Sequence, residues 1–298
     1  AIARALFMYN RFGEESPMLE AMSSEEILST ALNDLLNAPG GLLNYKHALA
    51  YTGSMPLEEL VASLRRSYEV AADLKDTPEF RFRNAREIDS TEVLVVDQQT
   101  AQAQVRIEFA DGVYDPDDGL LANLYTNYFG SGMSSVVFQE LREARALAYS
   151  ASARYSAGSR INAENLMMGS IGTQTDKTVD ALAAFIDLID NVPSSSERFE
   201  ESVNSMLNRY RTSKLNFREV IGAVRTWERQ GLEGDPRRDN YQKLQETELA
   251  DLLEFQAQHV KNRAKLISVV GDLSIIDIDE LEQFGSVEEL SVDDLFVD

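Results

Sequence analysis

The chain has 298 residues, 44% of them hydrophobic, which is enough for one large or two ordinary domains with real cores and argues against disorder. Its 50 acidic against 28 basic side chains leave a net charge of -22, which gives a nucleic-acid role little electrostatic support because phosphate binding needs a basic face, and the absence of cysteine excludes disulfides and thiolate metal sites. No apolar run reaches the ~18 residues of a membrane-spanning helix, and a chain opening at Ala1 without a visible signal peptide reads as a processed or truncated product, leaving the compartment, periplasm or cytoplasm, open.

From Ala1 to about Phe12 the pattern is helical, and Gly13 marks its end. Residues 24–37 form a second amphipathic pattern, with Ser23 or Ser24 as cap and acids in the first turn, where the helix dipole favours them; Ala38-Pro39-Gly40-Gly41 is expected to break it. A short strand over His47 to Tyr51, a turn at Gly53 and a helix from about Pro56 to Tyr68 follow. Residues 73–90 lack a sustained apolar period and read as an interdomain linker. Two strands, Glu92 to Val96 and Ala103 to Ala110, then lead into a helix over Leu120 to Tyr128.

Residues 128–155, YFGSGMSSVVFQELREARALAYSASARY, are the most informative stretch. Gly130 and Gly132 permit a tight turn, and Ser134 or Ser135 can cap the helix after it. Val137, Phe138, Leu141 and Ala144 fall at helical spacing as a buried stripe, which leaves Arg142 at its rim. Beyond Leu147 the period becomes two: Tyr149, Ala151, Ala153 and Tyr155 share one face, and Ser150, Ser152 and Arg154 the other. A helix therefore presents Arg142 and a strand presents Tyr149.

Further on, a strand is expected over Asn165 to Gly172 and helices over Asp176 to Asn191, Ser194 to about Leu215, Phe217 to Gly231 and Tyr241 to Val260. The strand Lys265 to Val270 and a last helix near Ile275 to Phe284 precede an acidic tail of undecided structure. Asp115, Asp117 and Asp118 lack the calcium-loop pattern and read as a solvated helix start, and Glu197, Glu200 and Glu201 as a wet helix face.

Two strand-turn-helix segments, ALAYTGSMPLEEL and ISVVGDLSIIDIDEL, resemble each other. An offset of 218 separates Gly53 from Gly271 and Tyr9 from Trp227, and 219 separates Pro17 from Pro236. This spacing implies an internal repeat of roughly domain size. Residues 1–72 then form the last third of a preceding domain, 73–90 the linker, 91–285 a complete domain and 286–298 the acidic tail. The expected class is α+β, with repeated units of mostly antiparallel sheet and helices packed on one face.

FGSGMSSVVFQELREARALAYS resembles the signature of the second domain in each half of the pitrilysin family of zinc metallopeptidases, which includes insulin-degrading enzyme and the mitochondrial processing peptidase. Met133, Ser134, Ser135, Phe138, Gln139, Glu140, Arg142, Leu147, Ala148, Tyr149 and Ser150 fit the signature, while Ala146 replaces its usual glycine. The resemblance implies a LuxS/pitrilysin-like fold and the carboxyl-terminal, non-zinc half of such an enzyme. In that half an arginine and a tyrosine seven residues apart project toward the peptide as an oxyanion clamp; by position these are Arg142 and Tyr149.

The resemblance further implies an unfolded peptide substrate and a zinc-bearing amino-terminal half, in the same polypeptide or a partner subunit. Zinc would sit in that half and not here, because the inverted motif H-x-x-E-H needs two histidines on one helical turn and this chain has only His47 and His259. The chain alone is expected to bind no catalytic zinc and to cleave nothing. The alternative is a non-catalytic homologue that acts as a scaffold or peptide-binding partner subunit.

Overall fold

A computed structural model describes residues 1–68 and 73–297. The last four residues expected in the first domain, 69–72, and the final residue of the tail lie outside the described residues. In chain order the helices are α1 Ile2–Phe12, α2 Ser24–Ser29, α3 Leu32–Leu42, α4 Leu57–Ser67, α5 Gly119–Phe129, α6 Thr178–Asp190, α7 Ser196–Thr212, α8 Val220–Arg229, α9 Arg237–Glu246, α10 Leu249–His259 and the single turn α11 Ile278–Leu281. A π-helix spans Phe138–Ala144. The strands are β1 Glu92–Asp97, β2 Gln102–Val113, β3 Ser150–Ser156, β4 Glu164–Gln174, β5 Leu266–Gly271 and β6 Ser286–Glu289.

The chain divides into two compact units, one of Ala1–Ala21, Asn84–Ser213 and Thr226–Val297, the other of Met22–Arg83 and Lys214–Arg225. The first is a mixed α+β unit on a six-stranded sheet of order β3-β4-β2-β5-β1-β6. The pairs β3/β4, β4/β2 and β2/β5 are antiparallel, whereas β5/β1 and β1/β6 are parallel. Alternation places Val93, Val95, Val105, Ile107 and Ile171 on one face, where they pack against Tyr125 and Phe129 of α5 and Phe185 and Leu188 of α6. Each large apolar side chain sealed there contributes roughly 1.5–3 kcal/mol of transfer free energy.

The opposite face carries a smaller cluster in which Ala5 and Leu6 of α1 cover Leu94, Val96 and Val270. The buried Asn10 amide fixes α1 there by donating to the Ile267 carbonyl at 2.8 Å and the Ser268 hydroxyl at 3.1 Å. Beside it Arg11 meets Glu108 of β2 at 3.2 Å. Burial raises the Glu108 carboxyl to about 7; the Arg11 charge opposes that rise and Glu164 adds to it.

Strand β3 lies at one edge of the sheet, and α5 closes that edge. The Ala153 N–H donates to the Gly130 carbonyl, and the Thr126 hydroxyl exchanges bonds with the Tyr155 N–H and C=O. A side chain at Gly130 would collide with the Ala153 carbonyl, so the turn after α5 needs glycine for this approach.

In the second unit, none of residues 22–68 and 73–83 is buried. Ser23 caps α2 reciprocally with Glu26. The expected helix over residues 24–37 is instead divided at Thr30 and Ala31, and its second part continues through Pro39 to Leu42. That helix is exposed throughout, so water can serve the carbonyl that Pro39 leaves without a partner. The expected strand over His47 to Tyr51 does not form; a single bridge between Tyr45 and Lys75 stands in its region, because among the described residues no neighbouring strand takes up its backbone groups.

Candidate active site

The segment from Gly130 to Tyr149 builds the site. Gly132 turns the chain with φ +90°, and Ser135 closes the turn by donating to the Gly132 carbonyl and accepting from the Phe138 N–H. The helix that follows is wound as a π-helix, marked by a bond from the Arg145 N–H to the Glu140 carbonyl. Its wider turn shifts the buried stripe: Val136, Val137 and Leu141 are sealed, while Phe138 is half-buried and Ala144, expected inside, is exposed.

Ala146 then reverses the chain at φ 49°. This is the left-handed region, where a side chain is disfavoured and glycine is free, which gives a physical reason for glycine at this position of the signature. The buried Thr173 hydroxyl donates to the Leu147 carbonyl at 2.6 Å, and the Tyr149 N–H donates to the Gly172 carbonyl at 2.8 Å. Strand β4 thus holds the connection between Arg142 and Tyr149 at two points.

Arg142 and Tyr149 line the same cavity, about 400 Å³ in volume, together with Gln174 and Lys177. Arg142 is half-exposed, with its guanidinium carbon 4.8 Å from the Phe138 ring centre and its Nε 3.8 Å from Glu143. At that distance the ion pair is weak and the guanidinium keeps donors for a ligand. Tyr149 stands just before β3 and is 52% exposed. Its hydroxyl accepts from Gln174 Nε2 at 3.0 Å, which leaves the phenolic proton for another acceptor. Two cations and a phenol therefore face the cavity with one carboxylate, Glu143, among them.

Gln174 and Lys177 were not singled out by sequence. Gln174 ends β4 and Lys177 lies in the 3-10 turn after it. What brings them to Tyr149 is the β3/β4 register, in which Ser150 faces Gly172, and no local motif announces that register.

The histidines are both committed to other partners. His47 hydrogen-bonds the Tyr45 carbonyl and the Tyr68 hydroxyl. His259 contacts Asp111 through Nδ1 at 2.8 Å. The buried Asp111 also accepts from the Tyr155 hydroxyl at 2.7 Å and pairs with Arg263 at 2.6 Å, so one carboxylate ties β2, β3 and α10 together. Nearby, Asp115 caps the turn before α5 through the Asp117 N–H. Burial raises the Asp118 carboxyl; His259 opposes that rise, while Asp115, Asp111 and Asp117 add to it. Among the described residues no group of three or more His, Asp or Glu side chains is arranged to hold a metal ion. The residues present do not fit a zinc centre.

A family model described as the Peptidase M16 inactive domain matches residues 48–206. Comparison with curated proteins gives no match. Among solved structures, a peptidase M16 inactive domain from Pseudomonas fluorescens is similar with a TM-score of 0.66 and 16% identity, over 91% of this chain and 65% of that one. A conserved protein from Enterococcus faecalis gives a TM-score of 0.68 at 14% identity, over 91% of this chain and 63% of that one. The ferredoxin protease FusC, in complex with Arabidopsis ferredoxin, gives 0.62 at 13% identity, over 90% of this chain and 29% of that one. The chain thus spans less than two thirds of the length of each, and identities this low speak for the fold alone.

Proposed function

Since this chain belongs to the M16, or pitrilysin, family of peptidases through its inactive domain, we propose that it is the carboxyl-terminal, non-zinc half of a zinc metallopeptidase. In this reading it encloses an unfolded peptide against a zinc-bearing amino-terminal half and supplies Arg142 and Tyr149 to the reaction. Residues 1–72 are then the last third of a preceding domain and 91–285 a complete one, with α1 laid on the sheet of the second.

The observation that carries the reading is the meeting of Arg142 and Tyr149 in one solvent-open cavity, each with a donor free for a ligand. When a peptide carbonyl becomes tetrahedral, negative charge gathers on its oxygen. A guanidinium and a phenol aimed at that oxygen favour the transition state over the substrate and lower the barrier. Gln174 helps by occupying a lone pair of the Tyr149 oxygen, so that the hydroxyl proton turns toward the cavity. The zinc in the other half would polarise the carbonyl and activate water; among the described residues of this chain no group is arranged to hold it.

The reading is tested by complementation. The 298-residue chain is mixed with an M16 amino-terminal half carrying H-x-x-E-H and assayed on a quenched-fluorescent unfolded peptide. Cleavage is expected from the mixture and from neither component alone. Equal cleavage by the zinc-bearing half without this chain would overturn it.

A further inference from the structure

The open face of the sheet, away from the α5/α6 layer, carries a second polar site. Ser152, Ser170 and Arg106 stand directly opposite one another across β3, β4 and β2, and Arg154 follows two residues after Ser152 on the same face. They line a cavity of about 630 Å³ between Phe7 of α1 and the Gly130-Ser131 turn, and no carboxylate lines it among the described residues. In a chain with 50 acidic and 28 basic side chains this is a local inversion of charge. The nearest acid along the same face of β2, Glu108, is 1% exposed and is paired with Arg11.

Arg106 is half-buried, and its side chain makes no hydrogen bond or ion pair among the described residues. Its guanidinium carbon lies 5.4 Å from the Phe7 ring centre. An aromatic neighbour orients the guanidinium plane, and partial burial makes its unspent donors costly until an anion meets them. The Ser152 and Ser170 hydroxyls lie 3.0 Å apart, which uses one of their two protons and leaves the other to donate. Arg154 spends one nitrogen on the Ser156 hydroxyl at 3.1 Å and is otherwise exposed.

We propose that this groove is a subsite for acidic side chains of a bound peptide. Arg106 takes one carboxylate in its two-pronged fork, the free serine proton donates to the same group, and Arg154 faces a second acid. The roots of Arg106 and Arg154 are two strands and one pleat apart, on the order of 12 Å, which is the spacing of residues three to four positions apart in an extended chain. That spacing favours a peptide over a single small anion. Gly130 and Thr126 already occupy outward positions on the edge of β3, so the peptide is held by side chains rather than by adding a strand. The site stands independently of Arg142 and Tyr149.

The test is fluorescence anisotropy on the 298-residue chain with labelled Gly-Glu-Gly-Gly-Glu-Gly, its glutamine counterpart and citrate as competitor. The glutamate peptide is expected to bind, more weakly as salt rises, and the glutamine peptide at least about ten-fold more weakly, since hydrogen bonds to charged groups carry most of the contact. Arg106→Met is expected to cost a further factor of about ten or more, and Arg106→Lys less, because lysine keeps the charge but not the fork. Arg154→Ala, at an exposed position, guards against a folding artefact and is expected to weaken binding several-fold with an unchanged melting curve. Equal binding of both peptides, or unchanged binding in Arg106→Met and Arg154→Ala, would overturn the proposal. Citrate binding as tightly as the glutamate peptide would overturn the assignment to a peptide.

Discussion

Gln174 Nε2 donates to the Tyr149 hydroxyl across 3.0 Å, so the last residue of β4 sets the direction of a phenolic proton just before β3. Replacing Gln174 with Met keeps the bulk and removes the donor. In the complemented enzyme we expect Gln174→Met to lower kcat by roughly three- to ten-fold, less than Tyr149→Phe, because the phenol stays in place but loses its orientation. An unchanged kcat would show that Gln174 does not position Tyr149.

Ala146 carries a left-handed backbone at φ 49° where glycine would be unstrained. Ala146→Gly should therefore stabilise the chain by about 1 kcal/mol, the relief of the left-handed strain exceeding the added freedom of the unfolded chain. Chemical denaturation of both proteins checks this. A lower stability for the glycine variant would mean that the turn is set differently.

Glu108 gives a pH dependence with a definite sign. Its folded carboxyl is raised from 4.5 to about 7, so between those values the folded state holds a proton that the unfolded chain has lost. Stability from this group is greatest below pH 4.5 and falls as the pH climbs to 7, by roughly 3 kcal/mol in all. Glu108→Gln should remove that slope and raise stability at pH 8 while changing little at pH 4. Denaturation curves at several pH values with an unaltered slope would contradict the assignment.

Tyr125 is fully buried, stacked on Phe129 with ring centres 5.2 Å apart, and its hydroxyl has no hydrogen-bond partner among the described residues. Removing that hydroxyl recovers a desolvation cost without opening a large cavity. Tyr125→Phe should be neutral or stabilise by up to about 1–2 kcal/mol. A clear loss in thermal stability would reveal a partner for the hydroxyl.

Much of this was legible because local chemistry and tertiary structure agree along residues 130–156. The glycine turn, a serine cap, Val137 and Leu141 of the expected stripe and the alternation of β3 from Ala151 to Tyr155 follow from spacing, whereas Phe138 is only half-buried and Tyr149 stands just outside the strand. The π-turn was not legible, since an i to i+5 winding leaves no mark in an i, i+3, i+4 pattern, and it displaced Ala144 to the surface. Strand β6 lies in a tail whose Glu288 and Glu289 gave no strand signal; it forms because β1 offers a free edge, which the Leu290 N–H also uses through the Val95 carbonyl. Asp111 and His259 are 148 positions apart, and Gln174 meets Tyr149 only through register. Such pairings are made by the sheet and have no local sequence signal.

The central claim, that Arg142 and Tyr149 serve the transition state, is tested most directly by steady-state kinetics of Arg142→Ala and Tyr149→Phe in the complemented enzyme. The account predicts that kcat falls by about two to three orders of magnitude, with KM changed much less and the melting curve retained. Unchanged kcat in both variants would contradict it.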